Sequence, residues 1–158
     1  MAFVIFLILA IITFFSINSI GQINSNSQMD QAGKIESQAE FYTRQWNYKA
    51  VNESIELFIK ASELWKIKKN YIQSISCLIK VSRQYKIVGR KESAYLILQK
   101  ALNLSRKKRL ISSESQILSE ISLLSFEKGN IVESNIQIQK ALKKAKLSEN
   151  SAALGDAY

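Results

Sequence analysis

Three copies of one short pattern, Phe58-Ile59-Lys60-Ala61, Leu98-Gln99-Lys100-Ala101 and Ile138-Gln139-Lys140-Ala141, stand 40 residues apart in a chain of 158. A sequence with that period is built from stacked units, because one unit alone cannot bury its apolar face. Further columns keep the offset. Ser54, Ala94 and Ser134 are small, Gly89 matches Gly129 although the first copy has Lys49, Leu78 pairs with Leu118, Val81 with Ile121, and Ser82 with Ser122. Within each unit the apolar spacing is helical: Ile75, Leu78, Ile79, Val81 and Tyr85 predict a helix over Tyr71–Val88. Tyr95, Leu98, Ala101, Leu102 and Leu104 predict a second over Glu92–Lys108, with Gly89 ending the first. Ser113-x-x-Gln116 and Asn130-x-x-Glu133 have the spacing of capping boxes and are read as helix starts.

The composition removes whole classes of alternative. There is no proline and there are five glycines, which argues against a turn-rich β-sandwich. With no histidine and one cysteine, no Ser-His or Cys-His nucleophile, no disulfide framework and no multi-cysteine zinc site can form. Cys77 sits beside Leu78 on an apolar face and reads as a small buried hydrophobe. Glu36 and Glu40 have i, i+4 spacing and read as a solvated face rather than an acid–base pair. No glycine-rich phosphate loop occurs. The expectation is a non-enzyme with no cofactor and no metal.

Glycine, a small residue five later, a large apolar residue four after that and alanine three further on resemble the second half of the tetratricopeptide repeat. Val81-Ser82 and Ile121-Ser122 resemble its first helix. The resemblance covers residues 36–158, about three units, and implies an all-α superhelix of antiparallel helix pairs, a solenoid. The 40-residue period exceeds the family's usual length, and Lys66, Arg106 and Lys146 stand where the family has proline. Armadillo- and HEAT-type helical repeats are the alternative architecture. The stretch Asn52–Trp65 is similar to the opening repeat of exported bacterial tetratricopeptide proteins, some of which continue into a caspase-like CHAT domain and others into a sensor kinase.

In that family the first helices line a concave groove that takes an extended peptide or a partner helix. By register the resemblance implies Thr43, Trp46 and Asn47 in the first unit, Ser76, Arg83 and Lys86 in the second, and Gln116, Ser119 and Leu123 in the third. Trp46 also reads as a core residue. Arg83 and Lys86 at the centre would favour an acidic ligand or a terminal carboxylate. The function expected is a scaffold or adaptor that binds a protein or peptide and does no chemistry. The alternative is the recognition arm of a larger exported protein whose catalytic or sensor domain lies elsewhere.

Net charge is +9, and its excess gathers in clusters at a common register: Lys68 and Lys69, then Lys107, Lys108 and Arg109, then Lys143 and Lys144. These read as the last turns of the second helices, where the helix dipole favours cations. Stacked, they would form a basic ridge able to meet an acidic protein or an anionic lipid surface; nucleic acid is the least favoured, since no aromatics are interleaved.

Residues 1–29 carry no charged side chain, and Ala2–Phe15 is apolar except for Thr13. Residues 1–21 therefore read as a secretory signal peptide, with Ser19-Ile20-Gly21 as a small-x-small cleavage site, or as a membrane anchor through residues 2–21. Either makes the protein exported, to a periplasmic or extracellular location. Residues 22–35 read as a flexible lead-in. Residues 151–158 align with the starts of earlier first helices, which makes the last helix incomplete and anticipates either a longer product or a partner covering that face.

Overall fold

The computed structural model describes residues 31–45 and 47–148. They form helices and the turns between them, with no strand among the described residues: α1 over 31–43, α2 (Tyr48–Ile67), α3 (Tyr71–Ile87), α4 (Lys91–Lys107), α5 (Ile111–Glu127) and α6 (Ile131–Ser148). The helices expected over Tyr71–Val88 and Glu92–Lys108 are α3 and α4, within one residue at each end. Residues 31–35, expected in the lead-in, are already helical, and Ala32 is fully buried. The targeting segment, Trp46 and residues 149–158 lie outside the described residues.

Four turns of three residues join α2 to α6, and all follow one path. In each, the second residue adopts a left-handed backbone: Lys69 (φ 60°), Gly89 (75°), Arg109 (56°) and Gly129 (78°). Its N–H reaches back to the helix, as does the N–H of the next residue: Asn70 to Trp65 O, Arg90 to Tyr85 O, Leu110 to Ser105 O and Asn130 to Ser125 O, at 2.8–2.9 Å. This is the Schellman arrangement, which satisfies carbonyls that a helix end would otherwise leave open. The four positions are 20 residues apart, so the structural unit is one helix plus one turn, half the period visible in the sequence. Ala61, Val81, Ala101, Ile121 and Ala141 fall on that 20-residue register, and all five are buried.

Helix starts correct part of the sequence reading. Asn47, Asn70 and Asn130 accept from backbone N–H groups through their side chains, so Asn130 caps α6 as its spacing predicts. Ser113 does not cap α5. The turn at Arg109 starts that helix at Ile111 behind Leu110, which leaves Ser113 buried inside the first turn. Lys49, standing where later copies have glycine, lies within α2, since the α1–α2 connection is made earlier and differently.

From α2 to α6 consecutive helices pack on one another, and α3 also touches α5. Ser62 Oγ donates to Ser74 O at 2.9 Å across the α2–α3 hairpin, and Ser122 Oγ donates to Ser134 O at 2.9 Å across α5–α6. In each pair one residue lies six positions before the turn and the other four positions after it, which makes the hairpins antiparallel. Small side chains at these crossings bring the backbones close, and the larger Phe58, Leu98 and Leu118 fill the space beside them. One apolar cluster joins α1, α2 and α3 around Phe58, Trp65, Cys77 and Val81. A second joins α3 to α6 around Ile79, Leu98, Ile117, Ile121 and Ala141. Tyr85 of α3 touches both, so α3 is the element that makes one body of the two cores. Burying a side chain the size of Phe58 or Leu98 stabilises by about 1.5–3 kcal/mol. Of the residues expected inward on α4, Leu98, Ala101 and Leu102 are buried, but Tyr95 is exposed.

Candidate partner-binding cleft

Helices α1, α3 and α5 share one side of the molecule. Glu36, Glu40, Lys80, Arg83 and Glu120 project from them at helical spacing, so the chemistry there is set by which charges meet. Lys80 Nζ donates to Glu36 Oε1 at 2.8 Å and to Glu40 Oε1 at 2.5 Å. Trp65 Nε1, from the end of α2, donates to the other Glu36 oxygen at 2.9 Å. Glu36 is only 15% exposed, which corrects the solvated face expected of it; Glu40, at 45%, is closer to that expectation. Burial opposes the charge on Lys80, but its hydrogen bonds to Glu36 and Glu40 outweigh that and raise its pKa above the ordinary lysine value. The ammonium also lies 5.4 Å from the centre of the Phe58 ring.

Farther along α3, Arg83 Nε donates to Glu120 Oε1 at 2.7 Å, and Lys86 Nζ donates to Glu127 Oε1 at 3.0 Å. Both cations expected to attract an acidic ligand are therefore already engaged by carboxylates of α5. An acidic ligand would have to compete for these cations with the buried Glu120 or with Glu127, which is 40% exposed, and this weakens the basis for an acidic preference.

Between α3 and α5 lies a cavity of about 420 Å³. Five residues expected in a groove line it: Ser76 and Arg83 from α3, and Gln116, Ser119 and Leu123 from α5. Ile79, Lys80 and Glu120 complete the lining. A second cavity of about 280 Å³ opens between α1 and α3 with Thr43, Phe58 and Gln84, and it shares Lys80 and Arg83 with the first. Gln84 is buried, and its Oε1 meets no hydrogen-bond donor. Not all the expected residues converge. Asn47 accepts from Ala50 N at 2.8 Å as the cap of α2, and Lys86 lines neither cavity.

Lys80 and Glu120 were missed, and Glu40 was read as part of a solvated face, yet a signal for all three exists. They occupy one column of the 40-residue register, and the column alternates in sign: Glu40, Lys80, Glu120. Alternation down a repeat column is what charge pairing between like-positioned helices leaves in a sequence. Gln84 left no such signal.

The basic clusters divide. Lys68, Lys69, Lys108 and Arg109 lie in the turns beyond the helix ends rather than in last turns, and Lys107 is the last residue of α4. Lys108 Nζ lies 4.0 Å from the Tyr71 ring centre and lowers the Tyr71 pKa, first through a hydrogen bond to the phenol. Lys143 and Lys144 lie within α6, and Lys144 Nζ reaches Glu114 Oε2 at 2.8 Å. Glu114 also meets Arg106 Nε at 3.0 Å; burial opposes its charge, but these two cations outweigh that and hold its carboxyl below the ordinary value.

Cys77 is fully buried, and burial, helped by the nearby Glu36 charge, pushes its thiol up to about 12, so it stays protonated and unreactive at neutral pH. No group of three or more His, Cys, Asp or Glu side chains that could hold a metal ion occurs among the described residues. No protein-family model matches this sequence, and no curated protein or solved structure matches it either.

Proposed function

We propose that this chain is a non-catalytic scaffold that binds a partner protein or peptide along the α1–α3–α5 side, in a tetratricopeptide-like solenoid. The observation that carries the reading is the pair of adjoining cavities joined through Lys80 and Arg83. Their lining suits a segment of polypeptide. Ser76, Gln116 and Ser119 offer neutral hydrogen-bonding groups, and Leu123 is 54% exposed as an apolar contact. The cations are paired in advance, so the ligand is read by hydrogen bonds and shape, and an extended neutral or zwitterionic segment fits better than an acidic one. The uncharged residues 1–21 support export, as a signal or an anchor.

A photo-crosslinking side chain placed at Leu123 in the native host tests the reading, with one at Leu96 as reference; Leu96, on α4, is somewhat more solvent-exposed at 62%. One dominant protein adduct from Leu123 and none from Leu96 is expected. Equal adducts from both positions, or none from Leu123, would overturn the groove as the binding surface.

A further inference from the structure

The four turns lie on two edges, and the edges differ in charge. The ends of α2 and α4 with the starts of α3 and α5 form the first edge; the ends of α3 and α5 with the starts of α4 and α6 form the second. On the first, segments 66–72 and 106–112 hold three and four Lys or Arg and no Asp or Glu. On the second, segments 86–92 and 126–132 hold three and one, accompanied by Glu92 and Glu127. Those two acids pair with Lys128 and Lys86.

The helix dipole does not explain the difference, because helices end on both edges and their C-terminal fields are alike. Backbone preference does not explain it either. Glycine is the residue least penalised at a left-handed turn position, and the second edge uses it in both turns; the first holds Lys69 and Arg109 there instead. Cations are kept on this edge against the local conformational preference. A cost of that kind marks positions whose side chains serve something other than the fold.

Exposed aliphatic residues stand among these cations. Ile67 is 70% and Ile72 60% exposed, and Ile72, Ile111 and Leu147 gather with Arg109 around one shallow hollow. A nucleic acid or an acidic protein surface would use the charge and leave these side chains wet. An anionic bilayer surface uses both, since its phosphates take the cations and its acyl boundary takes the aliphatic groups.

Chain path points the same way. Ala32 packs in the cluster that holds Trp65, Glu36 meets Lys80, and Thr43 shares a cavity with Gln84, so α1 runs parallel to α3 and begins on the first edge. Residues 2–20 carry no charged side chain, and the ten residues 21–30 reach at most ~35 Å. A membrane holding residues 2–20 would lie within reach of this edge. No helix among the described residues is long and apolar enough to cross a membrane, so the contact is with the surface.

We propose that the edge carrying Lys69, Lys107 and Arg109, with Ile67, Ile72 and Ile111 among them, docks on an anionic lipid surface. The test uses the full chain and flotation with two kinds of vesicle, phosphatidylcholine alone and phosphatidylcholine with about one-third phosphatidylglycerol. Segment 1–21 contributes to both, so the ratio of the two affinities is the readout. A preference of about tenfold or more for the anionic vesicles is expected. The double variant Lys69→Gly/Arg109→Gly should lose most of it, at about fivefold per cation. That variant suits its turn geometry better than the parent and should unfold at a higher temperature, which separates lost docking from lost folding. Lys91→Gln/Lys128→Gln, which removes two cations from the other edge, should change the ratio by less than about twofold. Equal losses from the two pairs would reduce the effect to net charge and overturn the proposal. So would the absence of an anionic preference, or a duplex DNA that displaces the vesicles at equal salt.

Discussion

On the α1 side of the molecule one cation serves two carboxylates, and on the α6 side one carboxylate serves two cations. Lys80 is held by Glu36 and Glu40 where α1 meets α3; Glu114 is held by Arg106 and Lys144 where α5 meets α4 and α6. The central group is largely withdrawn from water in both. What differs is the partners. Glu36 is 15% exposed and is also tied to Trp65, whereas Arg106 and Lys144 are 54% and 36% exposed on long flexible stems. The lesson concerns what a broken pair leaves behind. A partner that can swing into water loses little, while one fixed in the interior bears the whole desolvation cost.

Removing the central groups is the strongest test of that difference. Lys80→Met should cost about 2–3 kcal/mol, because Glu36 stays buried with Trp65 as its remaining donor. Glu114→Gln should cost only about 1–2 kcal/mol, since Arg106 and Lys144 can turn outward and the amide still accepts one hydrogen bond. Urea unfolding of both variants checks this, and a larger loss for Glu114→Gln would break the argument. Hydrogen exchange should also localise the first loss to α1 and the second to α5 and α6.

The two networks should answer to opposite ends of the pH scale. The Glu114 carboxyl is held low, so its contribution is complete above the ordinary carboxylate range and is lost as pH falls through the lowered value. The Lys80 ammonium is held high, so its contribution is complete below the ordinary lysine range and is lost as pH rises through the raised value. Thermal unfolding across pH should therefore show an acid limb that weakens in Glu114→Gln and an alkaline limb that weakens in Lys80→Met. Unchanged limbs would mean that other groups govern the pH response.

Smaller effects are expected at the turns and have opposite signs on the two edges. Gly129→Ala forces a Cβ into a left-handed conformation and should destabilise by about 1 kcal/mol. Arg109→Gly relieves that strain and should stabilise by about 0.5–1 kcal/mol, with part of the gain offset by the freer unfolded chain. Thermal midpoints moving in the same direction would show that the four turns are not equivalent. At the same scale, Ser62→Ala and Ser122→Ala each remove two hydrogen bonds across a hairpin, to the carbonyl and the hydroxyl of the opposite serine, and should cost about 1–2 kcal/mol apiece. A clear inequality between them would show that the 20-residue register does not make the hairpins energetically alike.

The helical repeat organisation was legible in the sequence. Helical spacing of apolar residues placed α3 and α4 within a residue, and Gly89 and Gly129 marked two turns, because glycine announces a left-handed backbone. Lys69 and Arg109 hid the other two, since nothing about a lysine or arginine suggests that conformation. The 20-residue unit was hidden for a related reason. The buried column runs Ala61, Val81, Ala101, Ile121, Ala141, so identity returns only every second helix even though burial returns at each one. Ser113 was misread as a cap because its spacing to Gln116 fits the pattern, while the preceding turn sets the start of α5 one residue beyond Leu110.

The cleft was legible in part. The tetratricopeptide resemblance, carried over by register, implied a face carrying Ser76 and Arg83, and likewise Gln116, Ser119 and Leu123, and the structure gathers all five around one cavity. It did not predict that Arg83 and Lys86 would be occupied, since their partners sit 37 and 41 residues away on α5.

By itself, then, the sequence determined that this chain is helical and periodic and where glycine turns it, because those features depend on neighbours within a few residues along the backbone. Only the tertiary structure decided which charges meet, which glutamates are withdrawn from water, and that one edge gathers cations with exposed aliphatic residues. Those outcomes depend on the offset between packed helices. That offset is set by how small and large side chains interlock across the cores, and no local signal encodes it.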